Sequence, residues 1–281
     1  MLESWQAVVL GLVEGVTEYL PVSSTGHLIL AESLLGVRTP DAKEGLDAFT
    51  IVIQGGAILA VLGLYWQHVL AMLRGVLGRD PVGLRLLVNL GVAFLPAAVV
   101  GLALDHWIER NLFHPLPVLG ALAGGGVFMI ALHRLRGRIP GAESRGIESI
   151  DLSTAAWIGA MQCLALWPGM SRSMVVIAGG LLAGLRPRDA AEFSFLLGLP
   201  TLGAATAWKL FKEREAVATL GVAPVLLGIA VATVSAALAV RWLVGFLNRR
   251  GLEPFGWYRL ALTGAFAAAL AVGWVELGAV S

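Results

Sequence analysis

Long apolar runs alternate with short polar segments along most of the chain. Leu86–Leu104, Leu116–Leu132, Leu220–Val240 and Phe255–Val275 are each 17 residues or longer and almost free of charge. About 20 such residues cross a hydrocarbon core of about 30 Å. Ala48–Trp66 and Ala190–Leu210 are also long enough, though each carries polar residues. The pattern predicts six transmembrane helices.

Two further apolar segments are broken in the middle. The first runs Trp5–Leu20, breaks at Pro21-Val22-Ser23-Ser24 and resumes over Thr25–Leu35. The second runs Thr154–Trp167, breaks at Pro168-Gly169-Met170-Ser171-Arg172 and resumes over Ser173–Leu185. Each arm, at about 11 to 16 residues, is too short to cross alone. Proline with serine or glycine stops a helix. Irregular backbone at membrane depth is tolerated only inside protein or against water. Each segment therefore predicts a re-entrant helical hairpin with its tip inside the bilayer, over 5–35 and 154–185.

The two halves resemble each other. Gly11 precedes Glu14 by three residues and Pro21 by ten; Gly159 precedes Gln162 by three and Pro168 by nine. After each tip come a helix, a glycine (Gly36, Gly184), a charged loop and a run opening on phenylalanine, at Ala48-Phe49-Thr50 and Glu192-Phe193-Ser194. The order predicts a single membrane domain of two repeats, 1–135 and 150–281, each one hairpin plus three spans. Three spans per repeat make the second inverted relative to the first, which places a binding site near the midplane. The expected fold is thus an all-α integral membrane protein, six transmembrane helices plus two re-entrant hairpins, arranged as an inverted-topology repeat.

Composition agrees with this picture: 57% of residues are hydrophobic and 14% charged, against about a quarter charged in soluble domains. The net charge of +1 gives no reason to expect a nucleic-acid partner; membrane lipid is the expected surrounding. Cys163 is the one cysteine, so no intrachain disulfide forms. The start of the chain, with Glu3 and no early Lys or Arg, predicts no cleavable signal peptide. Loops 67–85, 133–151, 186–189 and 241–255 would share one side and carry Arg74, Arg79, Arg85, Arg134, Arg136, Arg138, Arg145, Arg186, Arg188, Arg241, Arg249 and Arg250. The other side carries Arg38, Lys43, Arg110, Lys209, Lys212 and Arg214. Twelve against six makes the first side cytoplasmic and puts both termini outside.

The chemistry concentrates at the tips. Glu14 and Glu18 stand four apart on one helical face. A carboxylate within the membrane costs about 2.5–3.5 kcal/mol, so the pair calls for a cation, an arginine or protonation. Ser23, Ser24 and Thr25 open the second arm, where a serine caps and free amides attract an anion. Gly26 and His27 follow, with His27 one turn beyond Ser24. The second tip supplies Ser171, Arg172 and Ser173; guanidinium suits bidentate phosphate contact. Two helix N-termini, one arginine, hydroxyls and two acids suit a phosphate or diphosphate held with a divalent metal. Mg²⁺ takes one or two carboxylates plus substrate phosphates, which makes Glu14 and Glu18 the candidate ligands. Ser24 could attack phosphorus if Glu18 or His27 takes its proton; an activated water could equally attack. Gln54 is a minor polar candidate beside the site. Asn89 and Glu192 are as readily explained by hydrogen bonds between helices.

The string Glu14-Gly-Val-Thr-Glu18-Tyr-Leu-Pro-Val-Ser-Ser-Thr-Gly-His27, with Pro168-Gly-Met-Ser-Arg-Ser173 and the stretches around Gln54 and Glu192–Leu197, resembles the undecaprenyl-diphosphatase family, also called the bacitracin-resistance family. With span number and order the resemblance covers essentially the whole chain. It implies hydrolysis of undecaprenyl diphosphate, a polyprenyl diphosphate lipid, to the monophosphate in the bacterial plasma membrane, recycling the carrier for peptidoglycan synthesis. It also implies Mg²⁺ or Ca²⁺ dependence and bacitracin resistance. By resemblance, Glu14 and Glu18 form the acid motif, Ser24 is the proposed nucleophile, and His27 and Arg172 complete the site. A homodimer is compatible with all of this. After Ser173 the family commonly has glycine, a small residue and threonine; this chain has Met174-Val175-Val176, so a hydroxyl is missing at Val176. A second lipid-phosphatase class needs a nucleophilic histidine several residues beyond its Ser-Arg pair, and no histidine follows His133. The rival expectation is a polyprenyl-phosphate transporter or flippase without hydrolysis, since inverted repeats with broken helices are transporter features.

Overall fold

The computed structural model describes residues 2–37, 43–136, 144–212 and 214–273. Both termini, Arg38, Arg138 and Trp274 lie outside the described residues. The described residues fold into helices joined by turns and short loops, and the strand-like contact among them is an isolated bridge between Arg145 and Leu185.

α1 spans Ser4–Thr17 and is opened by a reciprocal cap, in which the Glu3 amide donates to Gln6 at 2.9 Å. It ends at Thr17, four residues before Pro21, whose ring disfavours helix in the residue before it. Glu18 is therefore the C-cap of α1. α2 spans Ser24–Leu34 and stops at Gly36, whose φ of 65° ends the helix at no steric cost. α3 covers Lys43–Leu64, α4 Trp66–Val76, α5 Pro81–Leu112 and α6 Pro115–Arg136. α5 starts where Asp80 accepts from the Gly83 amide at 2.9 Å and Pro81 fills the first turn.

The second half begins with α7, Leu152–Gln162, capped by Asp151. A 3₁₀ turn over Cys163–Leu166 leads to the second break, and α8 runs Arg172–Leu182. α9 covers Pro187–Lys212, α10 Arg214–Ala218, α11 Val222–Arg250 and α12 Glu253–Ala271.

Among the described residues five helices, α3, α5, α6, α9 and α11, are long and apolar enough to cross a membrane. The sixth expected span corresponds to α12, which has 19 residues and carries Arg259 inside the run that reads as nearly uncharged. Three loops read from charge are helical. The 67–85 segment forms α4 and the start of α5, Pro187 already opens α9, and α11 continues to Arg250. α4 and α5 fold back on one another so closely that a Cβ at Gly75 would meet the Asp80 carbonyl at 2.8 Å.

Each broken segment packs on a long helix of the other half. α1 lies on α11, where a Cβ at Gly11 would fall 2.6 Å from the Gly228 carbonyl. α7 lies on α5, where a Cβ at Gly159 would fall 2.6 Å from the Ala93 carbonyl. Glycine at both places lets backbones approach as they do between membrane helices. α6 and α12 pair through Gly126 and Gly256. The two second arms differ in depth: Ser173–Leu181 of α8 is buried without a gap, whereas α2 buries Gly26, Leu28 and Glu32. α8 is the centre of the protein, and α2 lies nearer its surface.

Candidate active site

The breaks bring the two tips together. Ser173 Oγ of α8 donates to the Leu20 carbonyl of the first tip at 2.8 Å. Beside that contact is a cavity of about 160 Å³, lined by Glu18, Ser23, Ser24, Thr25, Gln54, Ala165, Trp167, Pro168, Gly169, Ser171, Arg172 and Leu202. A larger cavity, of about 660 Å³, lies among α1, α3, α10 and α11 and contains none of the tip residues.

Glu18 is the hub of the small cavity. Ser24 Oγ donates to Glu18 Oε2 at 2.7 Å, and Arg172 Nη2 reaches Glu18 Oε1 at 3.3 Å. Both charged side chains are nearly buried, at 6% and 9% exposure. Arg172 also donates through Nη1 to the Ser194 carbonyl at 2.8 Å, and its guanidinium lies 5.3 Å from the centre of the Tyr19 ring. Gly198 leaves room for it, since a Cβ there would sit 3.1 Å from Nη1. The Nε of Arg172 has no partner, and neither do the Tyr19 hydroxyl and Ser194 Oγ beside it. Arg172 is thus held by its surroundings while part of its donor set remains free.

The N-caps of α2 and α8 are serines with positive φ, 74° at Ser23 and 71° at Ser171. Ser171 Oγ accepts from the Met174 amide at 3.4 Å and shares a hydrogen bond with Ser173 Oγ at 3.1 Å. Both serines line the cavity, so both helix N-termini face one space where an anion is favoured.

The other expected residues divide. Thr25 and Gln54 line the cavity, and Gln54 Oε1 accepts from Thr206 at 3.0 Å. Glu14 does not line it; its side chain is 1% exposed, one turn behind Glu18. Gly26 packs against Leu122 rather than the cavity. Ser173 is fully buried and spends its hydroxyl joining the tips. His27 meets neither Ser24 nor the cavity. Its Nδ1 contacts the Ser23 carbonyl at 2.7 Å and its Nε2 the Tyr258 hydroxyl at 2.6 Å. A carbonyl only accepts, so Nδ1 carries a hydrogen, and in the neutral ring Nε2 accepts from Tyr258. Asn89 of α5 donates to the Ile150 carbonyl in the segment that leads into α7, at 2.8 Å, and Glu192 of α9 pairs with His68 of α4 at 3.1 Å.

Met174 and Val176, where the chain departs from the family pattern, are buried in the core and do not line the cavity. The Met174 methyl group fits because Gly125 has no side chain; a Cβ there would meet it at 3.0 Å.

Two residues escaped the sequence reading. Arg259 is fully buried and donates to four carbonyls: Ala121 at 2.8 Å, Leu122 at 3.1 Å, Gly169 at 2.7 Å and Met170 at 3.1 Å. It ties the second tip to α6. Its neighbour Tyr258 holds His27, so α12 grips both hairpins with consecutive residues. A lone arginine within an apolar run was the available signal for Arg259.

A family model described as bacitracin resistance protein BacA matches residues 7–265. Similar proteins named undecaprenyl-diphosphatase include one from Sorangium cellulosum, 48% identical over 92% of this chain and 83% of the relative. Others are from Novosphingobium aromaticivorans, 43% identical over 96% and 97%, and from Deinococcus deserti, 43% identical over 98% of each. With the family model covering nearly the whole chain and these relatives matching 92–98% of it, the chain belongs to the bacitracin resistance protein BacA family.

Proposed function

We propose that the protein hydrolyses undecaprenyl diphosphate to undecaprenyl phosphate and inorganic phosphate, recycling the lipid carrier of peptidoglycan synthesis. The observation that carries this reading is Glu18, which accepts from the Ser24 hydroxyl at 2.7 Å with Arg172 on its other oxygen. A cavity of about 160 Å³ is smaller than the roughly 300–1,000 Å³ of sites that enclose a whole small molecule. It suits a headgroup whose tail stays in lipid.

In this reading the terminal phosphate sits between the two helix N-termini, and Arg172 turns its free donors to the phosphate oxygens. Ser24 Oγ attacks the terminal phosphorus while Glu18 takes the hydroxyl proton. The bond from phosphorus to the bridging oxygen breaks, and undecaprenyl phosphate leaves with that oxygen. Glu18 passes that proton to a phosphate oxygen of the leaving lipid. It takes another from water as the water attacks the phosphoserine, and returns it to Ser24 Oγ as the bond from phosphorus to Oγ breaks and inorganic phosphate leaves. Arg172 and the amides offset charge on the transferred group throughout. Tyr258 keeps His27 on the Ser23 carbonyl, so His27 shapes the tip instead of taking the proton.

A divalent cation fits the donor set. Glu18 offers a hard oxygen ligand on the cavity wall, whereas Glu14, the other expected ligand, is buried one turn behind it, and no group of three His, Cys, Asp or Glu is found among the described residues. Mg²⁺ or Ca²⁺ would use Glu18 with substrate phosphates and water. Such an ion supplies charge neutralisation at the phosphate.

The same reading takes α1–α2 and α7–α8 as re-entrant hairpins and α12 as the sixth span of an inverted repeat over 1–135 and 150–281. The matching order of elements, the serine N-caps and the paired glycine approaches of Gly11 and Gly159 support it. The arginine excess supports a plasma-membrane orientation with both termini outside. The relatives named above carry a phosphatase name, and nothing among them favours transport without hydrolysis.

The test is phosphate release from undecaprenyl diphosphate by purified protein with Mg²⁺. Release far above an Arg172→Ala control is expected; none above that control would sink the reading. A labelled phosphoserine trapped by rapid acid quench, and absent in Ser24→Ala, is the outcome expected for attack by Ser24.

A further inference from the structure

α11 ends on two adjacent arginines, Arg249 and Arg250, where the chain turns through Gly251 into α12. They line a cavity of about 610 Å³ together with His133 of α6 and Glu253, Pro254 and Trp257 of α12. The cavity shares no residue with the one at the tips.

Its charge is unbalanced. Glu253 is the one carboxylate in the lining, and its oxygens are already taken. His133 Nε2 lies 3.5 Å away, Arg134 Nη2 3.5 Å, and the Trp257 indole N–H donates at 3.4 Å. Arg249 and Arg250 are exposed and have no acidic partner among the described residues. Cations in the last turn of a helix complement its carbonyls, but that role needs no cavity and no second arginine. Two aromatic residues at this end, Trp242 and Trp257, are 51% and 54% exposed. Exposed tryptophans near the ends of apolar helices mark the level of lipid headgroups.

We infer that this cavity binds the phosphate headgroup of an anionic phospholipid through Arg249 and Arg250. A basic pocket between membrane helices at headgroup depth is the setting in which such lipids are held. Guanidinium suits the phosphodiester, which it contacts in bidentate fashion. Glu253 is occupied by His133 and Arg134, which leaves the two arginines for the lipid. The bound lipid would brace the first turn of α12, one turn before Tyr258 and Arg259.

The full-length protein, purified in detergent and offered equal phosphatidylglycerol and phosphatidylcholine, provides the test by native mass spectrometry. Phosphatidylglycerol adducts are expected in about tenfold excess at low salt. Arg249→Gln with Arg250→Gln is expected to remove the excess, whereas Arg74→Gln with Arg79→Gln, on another part of the arginine-rich surface, is expected to keep it. Equal adducts for both lipids, or equal loss in both double variants, would overturn the inference. So would displacement of the lipid by millimolar inorganic phosphate, which would make free phosphate the occupant. Should the glutamine pair fail to fold, Arg249→Lys with Arg250→Lys decides. A severalfold loss of excess supports guanidinium recognition, and an undiminished excess refutes it.

Discussion

Ser23 and Ser171 are the two residues other than glycine that adopt positive φ among those described, at 74° and 71°, and each directly precedes the helix that carries a tip's reactive residue. Ser24 follows the first and Arg172 the second. Both serines turn the chain sharply so that the new helix starts with its amides facing the cavity. Backbone of this kind costs about 1–3 kcal/mol and persists where the surroundings dictate it.

Glycine tolerates this conformation and a β-branched residue does not. Ser23→Gly is expected to melt within about 1 kcal/mol of the parent, and Ser23→Val at least about 2 kcal/mol below it. Thermal unfolding in detergent reads both. Equal stability of the two variants would show that the turn is not strained.

Glu18 holds Ser24 on one oxygen and Arg172 on the other. Glu18→Gln keeps the shape and removes the base. Phosphate release is expected to fall by about 10²–10⁴-fold, the usual contribution of general base catalysis. The loss should appear in kcat more than in KM, because the ground-state contacts of the phosphate lie on Arg172 and the amides. A variant losing less than about fivefold would exclude Glu18 as the base.

Arg172 makes three different contacts: a carboxylate, a carbonyl and an aromatic face. Lysine cannot make all three from a single ammonium. Arg172→Lys is therefore expected to behave nearly as Arg172→Ala, with turnover reduced about 10²–10³-fold, the scale of losing one preorganised donor to a developing charge. Retention of more than a tenth of the parent rate in the lysine variant would show that charge alone suffices.

The tips were legible in the sequence because their signals are local. Pro21 and Pro168 break helices, and Glu14, Glu18, His27 and Arg172 are conspicuous in apolar surroundings. The division of labour among them was not, because it depends on contacts across the fold. Whether His27 faces Ser24 or Tyr258 is decided by α12, 231 residues further along. Glu14 and Glu18 share a helical face by spacing, yet α1 ends between them, so Glu18 reaches the cavity and Glu14 stays buried behind it. α4 was hidden for a different reason. Its 11 residues are too short for a span and include Gln67, His68 and Arg74, and so read as loop. The helix pairing of α6 with α12 leaves no local mark, since small residues such as Gly126 and Gly256 are frequent throughout a chain with 35 glycines.

Arg259 offers the sharpest test of the clamp on α12. Its guanidinium donates to carbonyls of both α6 and the second tip, with no carboxylate among its hydrogen-bond partners. Arg259→Met fills the volume but leaves four buried carbonyls without this donor. Buried hydrogen bonds to a charged group contribute about 1.5–3 kcal/mol each, and losing several together is expected to lower stability by about 3 kcal/mol or more. Gly125→Ala approaches the same group from the other side, since its Cβ would fall 2.5 Å from Nη2, so it should weaken the clamp with Arg259 still present. Tyr258→Phe removes the hydroxyl that holds His27 Nε2 and is expected to cost about 1 kcal/mol of stability. If α12 positions the tips, Gly125→Ala and Tyr258→Phe will both lower kcat with little change in KM at temperatures where each protein is fully folded. Thermal destabilisation with kcat unchanged in both would make α12 a structural brace only.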